Sequence, residues 1–428
     1  MKKTLTLFIV TLAVILWIAP LAGAAEFNQE QILKELEELK QTVKAQDLKI
    51  QQLKAAIGEK QGQKAEQKVE TKAASGEGGK VTVGNALIDQ LEIKSDIRVR
   101  YEMRDRNNPD DGYDNLNRWR ARFRAGGIWK NKTENWEAGA GLATGTITGT
   151  GTNDTWGEES VFEKGDIRLD YAYAKHKIQD FSFIIGQQIN PFEMSWLYWD
   201  TDLRPTGLTG QYSHPIGVFA TLGTYSLKFY APPKGSNDTA MLAAGQVGYK
   251  NKIGDVKVLA AAAYQHFDGL FSNVEGPNPD YDFRLGDFYA KATIPLGITE
   301  LSPYGQIWCN FGADGPAGRG QAGQAGGKLK PEDENLGWIL GLDAKIQQFK
   351  LGYAYAVVGA DSVFDGLKDA DFGSSFGVTT DSKGHRISAF YDVTKNVSTG
   401  ATAFFYEAAE RSNQPDVSLY QFDVNYKF

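Results

Sequence analysis

From Leu91 to Phe428, apolar and polar positions alternate in segments of about ten residues, rich in β-branched and aromatic side chains. The spacing predicts strands over 91–106, 117–130, 134–146, 166–178, 181–189, 207–214, 217–230, 240–250, 255–267, 284–295, 301–311, 336–346, 348–358, 383–394, 396–407 and 416–428, sixteen in all. Short turns, among them NKTE at 131–134, HPIG at 214–217 and NKIG at 251–254, follow the even-numbered strands, and long connections follow the odd ones. An even count in that phase is the asymmetry of a barrel with short turns at one rim and long loops at the other. Fourteen and eighteen strands are the neighbouring counts.

The faces of the strands decide what such a barrel is immersed in. Between Asp416 and Phe428, Tyr420, Phe422, Val424, Tyr426 and Phe428 share one face, and Gln421, Asp423, Asn425 and Lys427 share the other. Trp119, Phe123 and Trp129 lie on one face of the second strand, and Ile167, Leu169, Tyr171 and Tyr173 are expected on one face of the fourth. An outer surface this apolar suits lipid; a soluble β-sandwich or propeller on a helical stalk is the alternative. After the N-terminus there is no run approaching the roughly 20 apolar residues of a membrane helix, so a membrane crossing must be a closed barrel. The fold class expected is all-β, a 16-stranded antiparallel transmembrane β-barrel over 85–428, preceded by an N-terminal α-helical coiled coil.

The polar face of the second strand carries Arg118, Arg120, Arg122 and Arg124 at period two, so they project to one side. Arg98 and Arg100 on the first strand and Arg168 on the fourth extend the set. Arginine facing lipid at mid-membrane costs roughly 2–4 kcal/mol, which assigns this face to the lumen. Two readings are open. The arginines pair with Asp96, Glu102 and Asp170 and solvate the wall, or they form a cationic strip that sets the field of a pore.

Ahead of the barrel, Met1-Lys2-Lys3, the apolar Leu5–Leu21 and the small residues Ala22-Gly23-Ala24 have the form of a secretory signal over 1–25. Residues 26–57 carry a heptad with Ile32, Leu39, Gln46 and Leu53 at d and Leu36, Val43, Ile50 and Ile57 at a. Such a stripe calls for oligomerisation through Ile32, Leu36, Leu39, Val43, Ile50, Leu53 and Ile57, or for packing on the barrel or a membrane surface. Residues 58–84, dominated by Gly, Lys, Glu and Gln, read as a flexible linker.

Composition removes other classes. A mean hydropathy of −0.38 is too polar for a helical membrane protein but fits strands that hide apolar residues at every second position. The net charge of −7 becomes −9 once the signal takes Lys2 and Lys3, which argues against nucleic acid as a partner. Cys309 is the only cysteine, and His176, His214, His266 and His385 have no metal-ligand spacing. No cofactor, metal or enzymatic activity is expected.

The connection after the fifth strand, Asn190–Thr206, sets Glu193, Asp200 and Asp202 among Phe192, Trp196, Leu197, Tyr198 and Trp199. So apolar a loop belongs inside the barrel rather than in open water. The region 85–428 resembles a bacterial outer-membrane porin, and Trp199–Leu208 resembles a motif of the family called putative porins. The terminal Phe428 with Tyr426 is similar to the closing-strand signal that the barrel assembly machinery reads. The resemblance implies an outer-membrane trimer that passes small hydrophilic solutes, with the third long loop folded inward. Glu193, Asp200 and Asp202 would then face Arg98, Arg100, Arg118, Arg120, Arg122 and Arg124. The leading helix is similar to that of phosphate-selective porins, so an anion- or phosphate-selective channel is an alternative, and a structural envelope tether is another. Implied partners are outer-membrane lipid, lipopolysaccharide and, through the helix and linker, peptidoglycan.

Overall fold

The computed structural model describes residues 81–428 apart from 84, 85, 89, 109–111, 114, 146–149, 230–238, 270–282, 319, 322–328, 374–378 and 412–413. The expected signal and coiled coil, with Ile32, Leu36, Leu39, Val43, Ile50, Leu53 and Ile57, lie outside the described residues, as does the expected linker up to residue 80. A short hairpin, Val81–Val83 with Ala86–Ile88, comes first.

Sixteen strands then close into one antiparallel barrel. The first eight are β1 (Gln90–Asn108), β2 (Leu116–Asn131), β3 (Trp136–Thr144), β4 (Ile167–Ile178), β5 (Phe181–Gln187), β6 (Thr206–Ser213), β7 (Val218–Phe229) and β8 (Thr239–Ile253). The rest are β9 (Val256–Asp268), β10 (Arg284–Leu296), β11 (Thr299–Asn310), β12 (Leu336–Ile346), β13 (Phe349–Val358), β14 (Ser382–Asp392), β15 (Val397–Ala408) and β16 (Asp416–Lys427). β16 closes on β1 with Phe422 opposite Tyr101 and Asp423 opposite Arg100, so each strand keeps its greasy face outward. Among the described residues no helix is long and apolar enough to cross a membrane, and the crossing falls to the strands.

The exposed outer band includes Trp119, Leu142, Ile185, Leu208, Leu222, Val247, Ile307, Leu340, Phe422 and Val424, which is the surface a bilayer would cover. One face expectation fails. The β3–β4 register slips between Gly141 and Leu142, which pair with Tyr171 and Leu169, so Asp170 is an extra residue in a bulge. Ile167 and Leu169 stay outside, but beyond the bulge Tyr171 and Tyr173 turn into the lumen, where Tyr173 Oη donates to Glu137 at 2.8 Å. Gly126, Gly139 and Gly141 make room for the two rings, since a Cβ at any of them would overlap a tyrosine.

Two long loops fold into the barrel, L3 (188–205) between β5 and β6 and L7 (359–381) between β13 and β14. L3 buries Phe192, Leu197, Tyr198 and Trp199 in a core that includes Leu242, Phe267, Leu285, Trp308 and Ile339 from the inner wall. Each such side chain contributes roughly 1.5–3 kcal/mol of burial. L7 adds Val363, Leu367 and Phe372. The two loops share backbone hydrogen bonds, with Asp200 N–H donating to Leu367 O at 2.8 Å and Asp369 N–H to Leu197 O at 3.0 Å.

Candidate functional site

L3 is held by wall side chains that do the work of a neighbouring strand. Gln246 on β8 accepts from Glu193 N–H at 2.9 Å and donates back to Glu193 O at 2.8 Å. Gln306 on β11 accepts from Ser195 N–H at 2.8 Å and donates to Asp287 at 2.9 Å. Trp196 Nε1 donates to Tyr304 Oη at 3.0 Å, and the Arg386 guanidinium stands 4.6 Å from the Trp196 ring. A buried backbone N–H without such a partner would cost about 1–3 kcal/mol, so these amides fix the path of the loop.

Between these loops and the β1–β2 wall lies a cavity of about 420 Å³. Arg98, Arg100, Arg120 and Arg122 line one side of it, and Asp200, Asp202, Asp369 and Asp371 come from the loops. Arg386 and Asp423 complete its charged lining.

The arginines are heavily compensated. Arg100 makes a bidentate pair with Asp423 at 2.7 and 2.9 Å. Asp96 takes Arg122 at 2.9 Å and Arg124 at 2.8 Å, and Glu102 takes Arg118 at 2.5 Å with Arg120 at 3.5 Å. Arg98 donates to Asn153, an amide and not a carboxylate. The pairing reading is therefore correct for Asp96 and Glu102, while Asp170 instead binds Arg204 at the foot of L3, at 3.0 Å. Arg98, held by Asn153, and Arg120, 3.5 Å from a Glu102 already paired with Arg118, both sit on the cavity.

Not every predicted residue gathers here. Arg118 and Arg124 point into the lumen but lie outside the cavity lining. Arg168 lines a separate space of about 470 Å³ behind L3, with Trp199, Arg204 and Phe364. Glu193 is turned away from the arginines and pairs with Lys250 on β8, because its backbone is fixed by Gln246 on that wall. Asp202 stays at the cavity and accepts from Thr152 Oγ1 at 2.9 Å. Tyr426 and Phe428 lie exposed on the outer face with rings 5.4 Å apart, and Phe428 exchanges backbone hydrogen bonds with Ser95.

Sequence reasoning missed L7 and its Asp369 and Asp371. The signal was present, since Val363, Phe364, Leu367 and Phe372 lie among Asp361, Asp365, Asp369 and Asp371, the same apolar-with-acid mixture that marked L3. Burial pushes the Asp200 carboxyl up to about 6, with Asp202 and Asp371 adding to the effect. Burial also disfavours charge on Lys368 and Asp369, and their mutual attraction offsets this in part.

A closed sixteen-stranded barrel with an apolar outer band and a charge-lined interior defines a channel of the outer membrane. Residues 62–287, more than half of the chain, match the family described as putative porin, and the chain belongs to that family. Its fold is similar to that of Pseudomonas putida OprB in a high-pH structure, with 10% identity and a TM-score of 0.54 over 79% of this chain and 94% of that one. It is also similar to Salmonella typhi OmpF in complex with daunomycin, with 13% identity and a TM-score of 0.50 over 79% of this chain and 97% of that one. None of the curated protein sequences compared with it matches.

Proposed function

We propose that this porin passes small hydrophilic solutes and ions passively, by size exclusion at the opening between the inward loops and the β1–β2 wall. A transverse field crosses that opening. The observation that carries the reading is the segregation of charge around one cavity, with Arg98, Arg100, Arg120 and Arg122 on the wall and Asp200, Asp202, Asp369 and Asp371 on the loops. In a confined, poorly solvated opening such charges act on a permeating ion more strongly than in bulk water.

The charge count favours anions. The lining holds five arginines (98, 100, 120, 122 and 386) and five aspartates; the buried Lys368, outside the lining, offsets its neighbour Asp369, which leaves Asp200, Asp202, Asp371 and Asp423 and a balance of +1. Asp200 makes the balance pH-dependent. Because its pKa is raised to about 6, it is largely ionised at pH 7.5 and protonated at pH 5, so acidification takes the balance to +2. Anion preference, read as reversal potential in a salt gradient, should strengthen from pH 7.5 to pH 5 and change much less over that range in Asp200→Asn, since Asp369, pushed up to about 8, is already largely protonated at its upper end. A pH response undiminished by the substitution would remove Asp200 from this role.

The same reading gives the assembly as a homotrimer joined through the 26–57 heptad, in contact with outer-membrane lipid and lipopolysaccharide and tethered toward peptidoglycan. Phe428 and Tyr426 address the chain to the barrel assembly machinery. Deleting residues 26–57 should lower the oligomer fraction and spare the pore, and deleting Phe428 should lower the amount of assembled barrel. Unchanged oligomer and barrel levels would contradict these assignments.

A further inference from the structure

We propose that L7 is a strap latched to the closing seam of the barrel by Asp371, and that this latch sets the width of the opening. The inference rests on the channel reading above. Asp371, already one of the charges on the opening, would thereby also set its bore.

The root of L7 is fixed to its neighbours. Gly359 N–H donates to Leu336 O at 3.0 Å, and Gln321 Nε2 donates to both Ala360 O and Val363 O at 2.8 Å. Its middle is docked on L3 through the Asp200–Leu367 and Asp369–Leu197 backbone bonds and the edge of Phe372 against Trp196. Within it the buried Lys368 ammonium donates to Asp369 O at 2.8 Å and to Phe372 O, closing a tight turn. That turn carries Asp371 to a different part of the wall. Its Oδ2 accepts from Gln421 Nε2 on β16 at 2.9 Å and lies 3.5 Å from Arg100 Nη1 on β1.

The two contacts differ in kind from those of the root. The root is secured by buried hydrogen bonds to its backbone and Phe372 is packed against Trp196 and Tyr406, whereas the turn between them reaches the seam through one partly exposed carboxylate. Arg100 holds that carboxyl ionised, lowering its pKa against the opposing effect of burial. Asp369, Ala370 and Asp371 line the 420 Å³ cavity, so withdrawal of this end enlarges the opening directly. Gln421 donates to Glu102 as well, at 3.1 Å, so the wall side of the latch is itself fixed.

Bore is read with uncharged solutes, which do not report the transverse field. The experiment reconstitutes the full chain and its Asp371→Ala and Gln421→Leu variants in liposomes, then measures swelling with neutral sugars from mono- to tetrasaccharide. Heat-dependent electrophoretic mobility verifies that each barrel is closed. Gln421→Leu removes the one direct hydrogen bond of the latch, leaving only the longer Arg100 contact at 3.5 Å, and keeps the volume of Asp371 in place, so it separates release from lost bulk. The latch predicts that both variants raise the swelling rate for the larger sugars by about twofold or more, with less change for the smallest. A rise in Asp371→Ala alone, or in neither, overturns it. If Asp371→Ala does not assemble, Gln421→Leu decides by itself. A wild-type protein that admits not even a monosaccharide would instead be a failure of the channel reading.

Discussion

Replacing Arg98 and Arg120 together by glutamine should turn a weakly anion-preferring channel into a cation-preferring one. These two guanidinium groups are the right choice because neither neutralises a carboxylate at close range. Arg98 is bound to Asn153, and Arg120 stands 3.5 Å from a Glu102 already paired with Arg118. Their loss therefore leaves no carboxylate orphaned, and the barrel should assemble normally. The lining balance moves from +1 to −1, since five arginines become three against four aspartates. A unit charge about 5 Å from an ion's path is worth roughly 1 kcal/mol even in water, with partial screening at ordinary salt. Two such charges should shift the anion-to-cation permeability ratio by roughly tenfold or more. The reversal potential in a salt gradient should change sign. An unchanged potential would mean that the arginine strip is structural.

Arg100→Ala should act on the barrel itself. Arg100 joins β1 to β16 at the seam, is 6% exposed, and faces Asp423 at 4% and Glu102 at 2%. Removing it leaves two buried carboxylates with less compensation, a loss of about 3–5 kcal/mol when one partner of a buried pair is deleted. The exposed Lys350–Asp392 pair at a short turn is the contrast, where breaking the contact should cost about 1 kcal/mol or less. Lysine at position 100 should rescue poorly, because a point charge cannot make the forked contact to both Asp423 oxygens. The measurement is the temperature at which the compact electrophoretic form is lost. Arg100→Ala should lower it far more than Lys350→Ala, and equal effects would remove the seam from this account.

The barrel was legible in the sequence because period-two alternation is a local property that the pleat enforces residue by residue. β1, β2 and β16 each face water inside and lipid outside, and their assigned faces agree with the structure. Asp170 broke the pattern, since a bulge inserts one residue without altering composition, and Tyr171 and Tyr173 changed sides as a result. Nor does alternation mark where the lumen is dry. Leu242, Leu285, Trp308 and Ile339 face inward and are buried, because there the wall meets loops rather than water. Alternation cannot separate that case from a strand with both faces apolar.

Within the site, the apolar character of 190–206 gave its inward fold, and Asp200 and Asp202 came with it. Glu193 did not, since its direction depends on which wall amide holds its backbone, and Gln246 lies far away in the chain. Arg168 was placed by strand parity on the lumen, but parity does not say on which side of an inserted loop a residue will lie. The pairings of Arg100 with Asp423 and with Asp371 join residues at opposite ends of the sequence, and only barrel closure brings them together.

In the reading proposed above, the inward loops narrow this barrel without sealing it. Single-channel recording of the purified full-length protein in a planar bilayer tests it most directly. Discrete conductance steps are expected, with a small anion preference that grows between pH 7.5 and pH 5. A folded, heat-modifiable barrel that inserts and shows no steps at any voltage would contradict that reading, and would leave a closed structural tether of the envelope as the better description.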